Sequence, residues 1–262
     1  MRRRRTRASA LLAGLLVLLG PPLDPGGRTA AAERPELLVA AAADLVFAFR
    51  QITPAFERTH PAKVTLTLGS TGQLTQQILH GAPFDVFFAA NMAYAEDLRA
   101  KGAILPDSME PYAQGQLVLA THRAGPALAT LKELAREDVR RVAIANPAHA
   151  PYGMAAREAL ERAGMWAQVR RKLVYGENIG QALQFLQTRN ADAAILALSV
   201  AQAPEVRYAP IDASLYRPII QAAAVTARSR HPELARAFIG FVNGPEGRPI
   251  MKHYGFLLPG EF

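Results

Sequence analysis

A two-lobed α/β architecture is predicted by three features of this sequence. Short apolar runs with strand character alternate with segments of helical spacing. The connections between them are only a few residues long. The alternation stops near Pro111, begins again, and ends in a long strand-like run that returns toward the first unit. Strands alternating with helices imply a sheet with a parallel core, covered by helices on both faces. Two such units with a late return imply two doubly wound α/β lobes joined by more than one crossing strand.

The elements follow in order. Residues 37–41 (LLVAA) form a short buried strand. Residues 45–60 place Leu45, Phe49, Ile52 and Phe56 at helical spacing, with Pro54 expected to kink the helix. Residues 64–68 (VTLTL) read as a strand, 72–79 as a helix stopped by Gly81 and Pro83, and 86–90 (VFFAA) as a buried strand. A helix over 92–100 ends at Gly102. In the second unit, 116–121 and 141–145 are strands, 152–163 a helix, 172–175 a strand, 179–189 a helix and 191–196 a strand. Residues 218–227 form the returning strand, and two helices, 232–242 and 245–253, close the chain. The crossings between lobes fall near 112–116 and 216–222. The expected organisation is therefore 33–114 plus 217–262 for the first lobe and 115–216 for the second.

Composition excludes several classes. The chain has 262 residues, of which 50% are hydrophobic and 20% charged, enough apolar material for a real core and too much for a disordered protein. It has no cysteine, hence no disulfide framework, thiolate metal site or cysteine nucleophile. The net charge of +8 suggests nucleic acid, but Arg2, Arg3, Arg4, Arg5, Arg7 and Arg28 fall in the first 32 residues against Asp24 alone. Removing those six basic residues from 30 and that one acidic residue from 22 leaves 24 and 21, so the body carries about +3. No nucleic-acid partner is expected.

Residues 1–32 read as an export signal. The Arg run precedes a 13-residue apolar stretch, 8–20 (ASALLAGLLVLLG), too short for a bilayer core that needs about 20 residues. Pro21, Pro22 and Pro25 break any helix, and Ala30-Ala31-Ala32 offers a small-residue cleavage site. The mature chain is expected in the periplasm as a soluble monomer.

Four strand-to-helix turns are candidates for chemistry: Ala42-Ala43-Asp44-Leu45, 69–74 (GSTGQL), Ala150-Pro151-Tyr152-Gly153 and 177–181 (ENIGQ). A helix start carries unpaired N–H groups and about half a positive charge, so it receives an anion without a cation. Gly69, Gly72, Gly153 and Gly180 allow close approach of a ligand, while Ser70 and Thr71 add hydroxyl donors. Taken singly, each turn is an ordinary helix cap. Four of them, divided between both lobes, point to one shared site. None contains Lys or Arg, which disfavours a nucleotide or sugar phosphate and suits a small, fully desolvated oxyanion.

These same segments carry a family resemblance. AAADL (41–45), GSTGQLTQQI (69–78), GAPFDVFFAA (81–90), IANPAHAPYGMAA (144–156), GENIGQALQF (176–185) and YGF (254–256) resemble the periplasmic molybdate-binding proteins of ABC importers. The likeness implies a type II periplasmic-binding-protein fold, two α/β lobes joined by two hinge strands, that closes on one tetrahedral oxyanion, molybdate or tungstate, for delivery to a membrane permease. No cofactor is implied; the oxyanion is cargo. Carried over residue by residue, the family's ligand positions fall on Ala43 and Asp44, on Ser70 and Thr71, on Tyr152 and on Ile179. A tyrosine that some members contribute is replaced by Ala197.

Asp44 departs from the family's serine or asparagine. A carboxylate facing a dianion is repelled by about 4 kcal/mol per charge pair at 4 Å and an effective dielectric of 20. Three readings are open. Asp44 turns away and caps its own helix by accepting from the N–H of Val46 or Phe47, which is the plainest; or it is protonated and donates to the oxyanion; or it ligates the metal directly. Glu177 raises the same question less sharply. The alternative cargo is another oxyanion, phosphate first.

Other classes have less support. Of six histidines only His149 lies in a candidate loop, and GxSxG, HExxH and paired-histidine spacings are absent, so an enzyme is not expected. A transcription-regulator role would need a DNA-binding domain where the export signal stands. A zinc or manganese carrier would need a His and carboxylate cluster.

Overall fold

Strand β1 (Glu36–Ala42) is buried on both sides, and its alternation separates two cores. Leu37, Val39 and Ala41 pack on one face of the sheet, while Ala40 packs on the other. The computed structural model describes residues 34–262; the expected export signal at 1–32 lies outside the described residues.

After β1 a short 3-10 turn, Ala43–Leu45, leads into α1 (Val46–Thr59), which runs through Pro54. Then follow β2 (Lys63–Gly69), α2 (Thr71–Leu79), β3 (Val86–Ala89), α3 (Met92–Ala100) and β4 (Glu110–Gly115). The second series is β5 (Leu117–His122), β6 (Val142–Ala145), α4 (Pro151–Arg162), α5 (Trp166–Val169), β7 (Leu173–Gly176), α6 (Ile179–Gln187), β8 (Ala193–Ala197), α7 (Leu198–Ala201) and β9 (Val206–Pro210). The chain ends with β10 (Ile219–Val225), α8 (Pro232–Asn243) and α9 (Gly247–His253).

Two five-stranded sheets result, ordered β2-β1-β3-β10-β4 and β7-β6-β8-β5-β9. In each, four strands run in one direction and the fifth, β10 or β5, runs antiparallel to both of its neighbours. The sheets are thus mixed, because β10 and β5 enter each sheet from the opposite direction. The chain passes from the first sheet to the second at Gln116 and returns between β9 and β10. The Leu117 N–H donates to the Tyr216 hydroxyl at 3.1 Å, which ties the two passages together.

The first lobe is held by aromatic packing. Phe49, Phe56, Phe88 and Phe238 meet edge-to-face with centroid separations of 5.0–5.7 Å, geometry that adds to their area burial. Phe87, next to Phe88, points to the opposite face and joins Leu74, Ile78 and Leu98. Asp85, just before β3, is buried and accepts from the N–H groups of Leu38, Arg230 and His231 and from the Ser229 hydroxyl. It fastens the entrances of β1, β3 and α8 to one another. No helix among the described residues is long and apolar enough to cross a membrane.

Candidate functional site

The helix starts expected to share a site do converge. The 3-10 turn and α2 from the first lobe, and α4 and α6 from the second, border one small pocket. Its lining includes all six expected contact residues: Ala43, Asp44, Ser70, Thr71, Tyr152 and Ile179. No Lys or Arg lines it, and the described residues contain no group of His, Cys, Asp and Glu placed to hold a metal.

Each helix start presents donors for a local reason. Ser70 is the N-cap of α2, its hydroxyl accepting from Gln73 N–H at 3.3 Å, and Asn178 does the same for α6, accepting from Gln181 N–H at 3.1 Å. Pro151 opens α4, where its missing N–H is no loss. Thr71, Tyr152 and Ile179 then fall in first turns, where backbone N–H groups have no intrahelical acceptor. The buried Thr71 hydroxyl accepts from Ala90 N–H at 3.0 Å, which leaves its own proton to donate.

Asp44 does not cap its helix. Neither Val46 nor Phe47 donates to it, and the turn has no side-chain cap. Its Oδ2 instead accepts from the Tyr152 hydroxyl at 2.9 Å and from Gln221 Nε2 at 2.8 Å, while Oδ1 is buried without a partner. The cap expectation fails because a longer-range pair of donors, one on α4 and one on β10, competes for the same carboxylate. Burial lifts the Asp44 carboxyl to about 6, against the opposing effect of the hydrogen bonds from Gln221 and Tyr152. Burial, and then the Asp44 charge, push the Tyr112 and Tyr152 hydroxyls well above the ordinary tyrosine range.

Gln221 and Tyr112 were not among the expected site residues. The Tyr112 hydroxyl donates to Gln221 Oε1 at 2.6 Å, and Gln221 Nε2 also donates to the Tyr152 hydroxyl at 3.0 Å. Gln221 and Tyr112 sit on the paired strands β10 and β4, and Gln221 is fully buried. A single glutamine inside the apolar run IIQAAAV is the sequence signal that could have exposed it, since a buried amide needs partners.

A second set of contacts crosses between the lobes at the solvent edge. Gly72 N–H donates to the His149 carbonyl at 3.0 Å, and the Ser70 hydroxyl lies 2.8 Å from His149 Nδ1. Gln73 Nε2 donates to Glu177 Oε2 at 2.7 Å, and His149 Nε2 lies 3.6 Å from that same oxygen. Gly72 and Gly153, expected to admit a ligand, face protein backbone. A Cβ at Gly72 would stand 2.6 Å from the His149 carbonyl oxygen, and one at Gly153 would stand 2.1 Å from that of Ala145.

Known proteins share this sequence and fold. Residues 37–257 match the family described as bacterial extracellular solute-binding protein. The molybdate-binding protein ModA of Azotobacter vinelandii is 34% identical over 249 residues, covering 94% of this chain and 97% of the relative. ModA of Rhodobacter capsulatus is 32% identical over 253 residues, covering 96% of each. The solved structure of the Azotobacter vinelandii periplasmic molybdate-binding protein superposes with a TM-score of 0.79 at 32% identity, covering 85% of this chain and 99% of that one. The chain belongs to the bacterial extracellular solute-binding proteins, the family of these ModA proteins, and it is a binder rather than an enzyme.

Proposed function

We propose that this chain captures molybdate, and tungstate with it, in the pocket between its lobes and delivers it to the permease of an ABC importer. The observation that carries this reading is the convergence of four helix starts, two from each lobe, on a pocket lined by neutral donors and no cation. Such donors are fixed in number and direction, so a desolvated tetrahedral anion is recognised by size and by how many oxygens reach a donor at once. The names of the two ModA relatives support molybdate over phosphate.

In this reading the lobes are 33–114 with 217–262 and 115–216, the cargo is the only ligand, and the protein works outside the cytoplasm as a monomer after export. Gly72, Ser70 and Gln73 meet His149 and Glu177 when the lobes close, which seals the anion away from water and strengthens each donor's hold on it.

Titration calorimetry with molybdate, tungstate, sulfate and phosphate tests the reading. Stoichiometric binding of molybdate and tungstate, with sulfate and phosphate at least a hundredfold weaker, is expected. Phosphate binding tighter than molybdate would replace molybdate with phosphate as cargo; sulfate equal to molybdate would end the size argument.

A further inference from the structure

The polar cluster behind the pocket has a fixed donor direction. The Tyr112 proton goes to Gln221 Oε1, Gln221 Nε2 donates to both the Tyr152 oxygen and Asp44 Oδ2, and the Tyr152 proton goes to Asp44 Oδ2. Every chain of donors therefore ends at Oδ2, which acts twice as an acceptor. Oδ1 is the remaining oxygen of a buried side chain that borders the pocket, and no protein group donates to it.

Gln221 on β10 and Tyr152 on α4 donate to Asp44, Tyr112 on β4 stands behind Gln221, and none of them is a cation. His149 and Glu177 are engaged at the solvent edge with Ser70, Gln73 and each other. A bare carboxylate oxygen here is poorly solvated in the free protein and repels a dianion placed beside it. One proton between the two removes both penalties.

We propose that Asp44 Oδ1 shares one proton with the bound oxyanion, so that the pocket takes up a tetrahedral dianion and a proton together. This rests on the pocket being the oxyanion site. The shared proton also discriminates against sulfate, a weaker base than molybdate that holds it less firmly; phosphate, a stronger base, is rejected by size alone. Burial, net of the opposing hydrogen bonds from Gln221 and Tyr152, already raises the Asp44 carboxyl to about 6, and a dianion in the pocket raises it further. At neutral pH the free protein is then mostly ionised at Asp44 and must gain the proton on binding.

Calorimetry with molybdate at pH 5.5, 7 and 8.5, in paired buffers of different ionisation enthalpy, counts that proton. The wild type is expected to take up close to one proton per molybdate at pH 8.5 and much less at pH 5.5. Its Kd should weaken about tenfold per pH unit above pH 7. Asp44→Asn offers its carbonyl to Tyr152 and Gln221 and an N–H to the anion, so it should bind without proton uptake and with a Kd independent of pH. His149→Gln should keep the wild-type proton count and pH slope, whatever its affinity. Molybdate binding with no proton uptake by the wild type, or uptake that persists in Asp44→Asn, overturns the shared proton and leaves the oxyanion reading standing. Failure of molybdate, tungstate, sulfate and phosphate all to bind overturns both.

Discussion

The Tyr152 hydroxyl donates to Asp44 Oδ2 at 2.9 Å, joining residues 108 positions apart in sequence. One belongs to the first turn of α4 in the second lobe, the other to the turn after β1 in the first. The contact is buried and is shared with Gln221 of β10, so it couples the packing of α4 against the first sheet to the ionisation of one carboxyl.

That carboxyl makes apo stability depend on pH. Its value in the folded protein is about 6 against an ordinary 3.8, so the folded state holds the proton more tightly than the unfolded chain. Stability therefore falls as pH rises from about 4 to about 6 and is level above, with a total loss of about 3 kcal/mol at 1.36 kcal/mol per pKa unit. Asp44→Asn removes the ionisation. In urea denaturation without ligand it should exceed the wild type by up to about 3 kcal/mol at pH 7.5, with the advantage gone near pH 4. An advantage that does not change with pH would show that burial of the charge is not its cause.

Thr71 serves folding as well as the pocket. Its hydroxyl accepts from Ala90 N–H, so Thr71→Val leaves a buried donor without a partner and should cost about 1–3 kcal/mol of stability. Loss of the donor toward the anion should weaken molybdate binding by about tenfold or more in calorimetry, while Thr71→Ser, which keeps the hydroxyl, should retain both. Equal stability of Thr71→Val and wild type would mean that the Ala90 contact contributes nothing.

The order of elements was legible because β1, β3 and β8 are short apolar runs flanked by helix-spaced segments, and nothing remote competes with that pattern. One strand was not legible as a strand: β9 (VRYAP) lies at a sheet edge with a mixed burial pattern. β4 (EPYAQG) was legible only as the crossing near 112–116, its start hidden by a proline. The site was legible where local rules act: Ser70 caps α2 and Pro151 opens α4 because the backbone there needs those residues. Asp44 was not, since ADL ahead of a helix is also how a cap looks. Its actual partners lie on strands and helices whose proximity only the fold decides.

Asp85 shows how a motif that marks a family can serve the scaffold. It lies outside the pocket lining, and its two oxygens gather Leu38, Ser229, Arg230 and His231. Asp85→Ala orphans several buried donors at once and should cost at least about 3 kcal/mol, at about 1–3 kcal/mol per unsatisfied group. The protein that remains folded at low temperature should bind molybdate with a Kd within about threefold of wild type. A large affinity loss with unchanged melting temperature would place Asp85 in the binding machinery instead.

Gly72 separates closure from folding. Its N–H donates to the His149 carbonyl, and a Cβ added there would meet that oxygen at 2.6 Å and the His149 Cβ at 3.0 Å. Both obstacles belong to the other lobe, and the backbone oxygen cannot swing aside as a side chain would. Within its own lobe Gly72 sits in the first turn of α2, where alanine is a better helix former than glycine by about 1 kcal/mol. Gly72→Ala should therefore fold with a melting temperature no lower than wild type, yet keep the lobes from closing fully. Molybdate affinity should fall at least tenfold, mostly through faster release, and small-angle scattering with saturating molybdate should show a larger radius of gyration than the bound wild type. Gly153→Ala is the contrast, because its clash with the Ala145 oxygen lies inside the second lobe and should lower the melting temperature as well. Unchanged affinity in Gly72→Ala would show that the Gly72–His149 contact is not part of the closed state.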